Sequence, residues 1–258
     1  MIQQVLGFFS YFFANPSVLG WGLAVIFTAI WLACYRPPLL SKPWLWAVLV
    51  VGAILAPIAM VITFFLVGPG IFKLYSLLWS PEVIQQFAWL VSIPSIFIVG
   101  LVWEGAKLVP VGVYWWRKNR KIEPKLGLLI GAVAGAGFGL LQAQWTINYF
   151  IRETNWNWQL AQIEGFPAMI GFWESFFILG LNVASTALAG WGVAKGWGWK
   201  FYLLAGFVYL VTNYNIVLAS YELVSATQAQ FLIATWALIV VGVTLWLREK
   251  KSEVSPKK

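Results

Sequence analysis

Glu104 and Lys107 stand three residues apart inside the apolar stretch IVGLVWEGAKLVPVGVYWW. An acid and a base at that spacing share one helix face and can meet in an ion pair. At the centre of a membrane helix either charge alone costs about 2.5–3.5 kcal/mol, which pairing partly offsets. Two readings fit: a buried ion pair that fixes helix orientation, or a centre descended from catalytic chemistry. Further polar side chains follow in apolar surroundings: Gln142, Gln144 and Asn148, then Glu174 and Asn182, then Tyr209, Thr212, Asn213 and Asn215. Interhelical hydrogen bonding, at about 1 kcal/mol each, is the plain expectation for the neutral ones. Glu174 has no partner nearby in sequence and is expected near one membrane surface, within reach of water.

The chemistry open to these groups is narrow. The chain has no histidine, so the commonest metal ligand and the commonest proton shuttle at neutral pH are both missing. A hydrolytic triad of the usual composition cannot be built without it. No H-E-x-x-H, P-loop, C-x-x-C or G-x-S-x-G pattern occurs. The single cysteine, Cys34, forms no internal disulfide and leaves the redox compartment open. Neither a metal nor a cofactor is expected.

The elements that must position these side chains are long apolar helices. Of 258 residues 61% are hydrophobic and 10% charged, and the mean hydropathy of +0.79 is far too high for a water-facing surface. Seven runs approach or exceed the roughly 20 residues that a helix needs to cross a bilayer: 18–35, 44–67, 88–116, 126–151, 168–193, 201–220 and 228–247. The expected fold is an all-α, polytopic bundle of about seven transmembrane helices, one domain over 1–247 with a basic tail at 248–258. Residues 1–16 read as a short interfacial or re-entrant helix anchored by Tyr11, Phe12 and Phe13, with no basic n-region or A-x-A-like cleavage site. Gly68-Pro69-Gly70 is expected to end the second span, Pro57 to kink it, and 72–87 to lie amphipathically in the interface. Residues 117–125 form a basic loop, and 152–167 a polar, Trp-rich one. Gly131, Gly135 and Gly139, four apart, form a stripe that lets two helix backbones approach closely. Gln142 continues the stripe toward the bundle interior, while Gln144 shares another face with Asn148.

Fourteen of the seventeen basic residues fall in alternate loops and the tail, while Lys73 and Arg152 lie in the others and Lys107 within a span. The positive-inside rule then places the N-terminus outside and the C-terminus in the cytoplasm. The net charge of +8 therefore belongs to topology and to contact with anionic lipid, and no nucleic-acid partner is expected. The partners expected are the lipid bilayer and other membrane proteins, in a prokaryotic plasma membrane.

In order along the chain, these polar positions resemble the PrsW family of intramembrane proteases, in the group of the CAAX prenyl endopeptidases and the gamma-secretase scaffold subunit. The family pattern EExxK falls on Trp103-Glu104-Gly105-Ala106-Lys107, keeping the second Glu and the Lys. GFxxxEN falls on Gly137-Phe138-Gly139-Leu140-Leu141-Gln142-Ala143, with Gln142 in place of Glu. The first family histidine corresponds to Asn182, ahead of the small-residue run 184–192, and the HxxxN-like motif to Tyr209 and Asn213. The resemblance covers about 102–217 and implies a helical membrane core over about 88–220. In the family the glutamates and histidines are thought to hold a metal and activate water. Here one of those glutamates is Trp103, another is Gln142, and both histidines are replaced.

Glutamine and asparagine keep much of the shape of the lost groups but act neither as a base nor as a strong zinc ligand. What the resemblance implies is a catalytically inactive PrsW-like protein, serving as a structural or assembly subunit of a membrane complex. Its centre would be Glu104 paired to Lys107 and capped by Gln142, Asn182 and Asn213. Two alternatives stand beside it: an active intramembrane protease working through Glu104, and a lipid or small-molecule binder or transporter using the same centre.

Overall fold

A computed structural model describes residues 2–13 and 17–250. Eleven α-helices run along these residues, with no strand among them: α1 Ile2–Phe13, α2 Val18–Tyr35, α3 Trp44–Ile62, α4 Gly68–Leu78, α5 Pro81–Gln86, α6 Ala88–Arg117, α7 Pro124–Glu153, α8 Trp158–Glu164, α9 Ile170–Ala194, α10 Gly198–Ser220 and α11 Ala226–Glu249. Seven helical runs are long and apolar enough to cross a membrane, which makes this a polytopic helical membrane protein.

The bundle is built around α7 and α9. Their apolar windows are 72% and 78% buried, whereas α2, α3, α6, α10 and α11 bury 39% or less and turn much of their surface outward. Small residues explain the difference. A Cβ added at Gly131 or Gly135 would run into the backbone carbonyl of Thr186 or Asn182 on α9, and Gly127 and Gly190 face each other in the same way. Gly137, off this stripe, abuts the Leu49 carbonyl of α3. Residues 130–139 are consequently buried on every side. That is why Gln144, placed by helical phase on a different face from Gln142, is the more deeply buried of the two glutamines. α2 and α3 pack on α7, α10 and α11 on α9, and α6 lies against α3, α7, α9 and α10.

Three sequence expectations change. Gly68-Pro69-Gly70 does not stop the second span: a π-helical turn over Thr63–Val67 carries α3 into α4, and the run reaches Leu78. Pro69 sits in the first turn of α4, where its missing N–H is one that a helix start leaves unpaired anyway. The 72–87 stretch therefore begins as a continuation of that span and turns only at Trp79 and Ser80 into α5. The loop 152–167 carries its own short helix, α8, whose N-cap Asn157 accepts from the Leu160 N–H (3.0 Å). At the other end α11 continues to Glu249, two residues into the stretch read as tail.

α1 is a 12-residue helix, too short to cross, and its Phe8 ring packs against Phe64 and Phe65 of the π-helical turn. The side chains of Tyr11, Phe12 and Phe13, named above as anchors, lie outside the described residues, as does the tail from 251.

Candidate functional site: a lysine-centred polar knot

α6 runs unbroken through Pro94 and Pro110 and turns Glu104 and Lys107 toward α9, each only 1% exposed. Lys107 Nζ donates to Glu104 Oε1 at 2.5 Å, to Asn182 Oδ1 at 2.8 Å and, more weakly, to Ser185 Oγ at 3.4 Å. Ser185 in turn donates to Glu104 Oε1 at 2.8 Å. The three N–H groups of the ammonium are thus directed at a carboxylate, an amide oxygen and a hydroxyl. The Phe138 ring, with its centroid 5.5 Å from Nζ, closes the α7 side.

Lysine can only donate, so it fixes the amide of Asn182 with Oδ1 toward Nζ. Asn182 Nδ2 is then left to donate to Gln142 Oε1 (2.8 Å) and to the Ile178 carbonyl one turn back (3.0 Å). Gln142 must accept, which leaves its Nε2 for the small cavity it lines. One lysine therefore sets the orientation of two amides on two other helices. Only Glu104 Oε2 of the centre is buried without a hydrogen-bond partner among the described residues; Gln144 Oε1, one turn from Gln142 but off the knot, is another such atom.

Trp103, at the first glutamate of the family pattern, faces away from the knot. Its Nε1 donates to Thr63 Oγ1 at 2.9 Å, and its ring meets Phe138 and Tyr209 with centroids 5.5 and 5.6 Å away. With Ala56, Ala59 and Met60 it makes a small dry core beside the charged pair. Tyr209 packs flat on Gly100, where a Cβ would strike its ring.

Asn213 departs from expectation. It does not cap the pair; its Nδ2 donates to its own helix, to the Tyr209 carbonyl at 2.9 Å. Thr212 and Asn215 likewise bond back along α10, to the carbonyls of Val208 (2.9 Å) and Val211 (2.8 Å). A hydroxyl or amide on a helix can always find the carbonyl one turn earlier, and in apolar surroundings that local partner competes with any cross-helix one. α10 is instead tied to α6 by Tyr202, whose hydroxyl donates to the Leu101 carbonyl at 2.7 Å.

Asn213 does share a second polar place with Gln142. A cavity of about 40 Å³ is lined by Gln142, Thr146, Glu174, Ser175 and Asn213 among others. At about 10–15 Å³ per water, that is room for two to four waters. Glu174 also has a direct partner, Gln230 of α11, whose Nε2 donates to Glu174 Oε2 at 2.7 Å. The polar groups thus form a broken line: Glu174, the cavity, Gln142, Asn182, Lys107 and Glu104.

Among the described residues no three His, Cys, Asp or Glu side chains gather as a metal-binding group. The donor set at Glu104 is one carboxylate whose inner oxygen already holds an ammonium, so Lys107 Nζ stands where a cation would bind. Sequence reading missed Ser185 and Thr63. Ser185 was findable, since it falls three residues after Asn182 on the same face of α9; Thr63 carried no signal. No family model, no curated protein and no solved structure matches this chain.

Proposed function

We propose that this protein is a catalytically silent membrane protein with a PrsW-like helical core, serving as a structural or assembly subunit of a membrane protein complex. The observation that carries the reading is the state of Lys107. Its three N–H groups are directed at Glu104, Asn182 and Ser185, and its charge is cancelled by the one carboxylate in reach. A hydrolytic centre needs a base or a polarising cation free to act on water. Here the carboxylate is engaged by lysine and serine, and the remaining neighbours are amides, which neither take up protons nor bind zinc well.

The same arrangement suits a scaffold. The knot ties α6 to α9, and through Asn182 and Gln142 to α7, in a region that exposes nothing to lipid. The outward surface is broad, apolar and rich in tryptophan, with Trp46, Trp116, Trp158, Trp197, Trp199 and Trp246 all well exposed. Aromatic residues of this kind anchor contacts with lipid headgroups and with other proteins. The reading places the basic loops, and the C-terminus, in the cytoplasm of a prokaryotic cell.

Purification from native membrane in mild detergent, followed by mass spectrometry, tests this function. Stable partners at fixed stoichiometry are expected, and recovery as a partner-free chain would count against it. A membrane-peptide cleavage assay on the same material gives the second arm. Cleavage that disappears in Glu104→Gln would establish the protease instead.

A further inference from the structure

A groove of about 550 Å³ opens on the outer side of the bundle between α2 and α3. One wall is a single stripe of α2, Val25, Ala29, Leu32, Ala33 and Arg36, and the other comes from Trp46 and Leu49 of α3. Leu140 of α7 forms part of the floor. The wall is apolar: the hydroxyl of its Thr28 is already spent on the Ala24 carbonyl at 2.7 Å. From Val25 to Arg36 the stripe rises about 16 Å, at about 1.5 Å per residue. That is close to one half of a hydrocarbon core about 30 Å thick, the depth of one leaflet.

Arg36 stands at the mouth of this groove. It caps α2 with φ 47°, a left-handed conformation for which glycine is the usual residue. Its side chain is exposed, and among the described residues it makes no hydrogen bond or ion pair of its own. The neighbouring cation Arg248 is committed, donating to the Cys34 carbonyl (2.6 Å) and pairing with Glu249. An arginine held in a conformation that favours glycine, at the head of a leaflet-deep apolar groove, has a charge left for an outside ligand.

We propose that the α2–α3 groove is a binding site for an anionic phospholipid, with the phosphate on Arg36 and one acyl chain along Val25, Ala29 and Ala33 beneath it. Area and charge are both matched: the chain replaces bilayer contact in a concave wall, and the headgroup meets the one cation at that mouth with no protein partner. A zwitterionic lipid fills the groove equally well but carries no net charge for Arg36 to hold. The expected discrimination is therefore a headgroup effect.

The test is native mass spectrometry of the full chain purified with phosphatidylglycerol and phosphatidylcholine of identical acyl chains. Wild type is expected to keep one phosphatidylglycerol under activation that strips phosphatidylcholine. Arg36→Gly removes the charge while placing the favoured residue at the α2 cap, so thermal stability should hold or rise. Its phosphatidylglycerol retention should fall about fivefold or more, the change that one cation near an anionic surface makes. Ala29→Phe, which fills the groove and leaves Arg36 in place, should reduce retention of both lipids. Equal retention of the two lipids by wild type, or undiminished phosphatidylglycerol retention in a folded Arg36→Gly chain, overturns the proposal. Loss in Arg36→Gly with full retention in Ala29→Phe overturns the groove as the chain's seat.

Discussion

Two carboxylates are sunk into this bundle, and they are held in opposite ways. Glu104 shares a dry centre with an ammonium, and Lys107 and Ser185 both donate to the same one of its oxygens. Glu174 has no cation near it; it takes one hydrogen bond from the neutral Gln230 and borders a cavity with room for water. A charge deep in a bundle needs either an opposite charge or a solvent substitute. α6 supplies the first to its own glutamate three residues along, while α9 relies on α11 and on the cavity. The difference predicts which of the two sites the fold cannot do without.

Glu104→Ala should have the largest effect. It strands Lys107 without a counter-charge, which costs about 3–5 kcal/mol when one partner of a buried pair is removed. Reversible unfolding in mixed micelles measures it, and full stability in the variant would refute the pair as a fold element. Removing both charges together sharpens the point. In Glu104→Gln with Lys107→Met most of that loss should return, because replacing a whole buried pair by neutral groups is often close to neutral. A double variant as unstable as Glu104→Ala would mean that the carboxylate does something beyond balancing the lysine. Glu174→Gln should matter least. It keeps a hydrogen-bonding oxygen for Gln230 and stays compatible with the cavity, so a loss of about 1 kcal/mol or less is expected, the usual scale for a single polar contact between membrane helices. A loss equal to that of Glu104→Ala would erase the contrast.

How far the sequence reached depends on how local each determinant was. The boundaries of α2 were legible to the residue, because apolar length and the Arg36-Pro37-Pro38 stop lie in one short stretch. The glycine stripe was legible as a close contact, since four-residue spacing is a property of one helix; its partner, Thr186 and Asn182 on α9, was not. The pairing of Glu104 with Lys107 was legible for the same reason of spacing. Gln230 as the partner of Glu174 was not, because 56 residues and two helices separate them. Asn213 failed for another reason: sequence fixes which groups a residue carries, and a helical amide's choice between its own backbone and a neighbouring helix is made by packing. Gly68-Pro69-Gly70 failed because a breaker rule for ordinary helices does not foresee a wider turn that absorbs it.

That wider turn has a consequence for tolerance to insertion and deletion. In a π-helical turn the ladder reaches back five residues, as in the Gly68 N–H to Thr63 carbonyl bond, so Thr63–Val67 holds one residue more than an α-helix would need there. Removing a single residue from this segment would let the ladder revert to the ordinary spacing without breaking the helix. Everything beyond it would then turn by about 100°, the angle of one helical residue. Tyr75, whose hydroxyl now donates to the Val91 carbonyl of α6 at 3.1 Å, would swing away from that helix. The outer end of the second span is thus set in phase by one surplus residue, and a length polymorphism there would act as a rotation of α4 about its own axis.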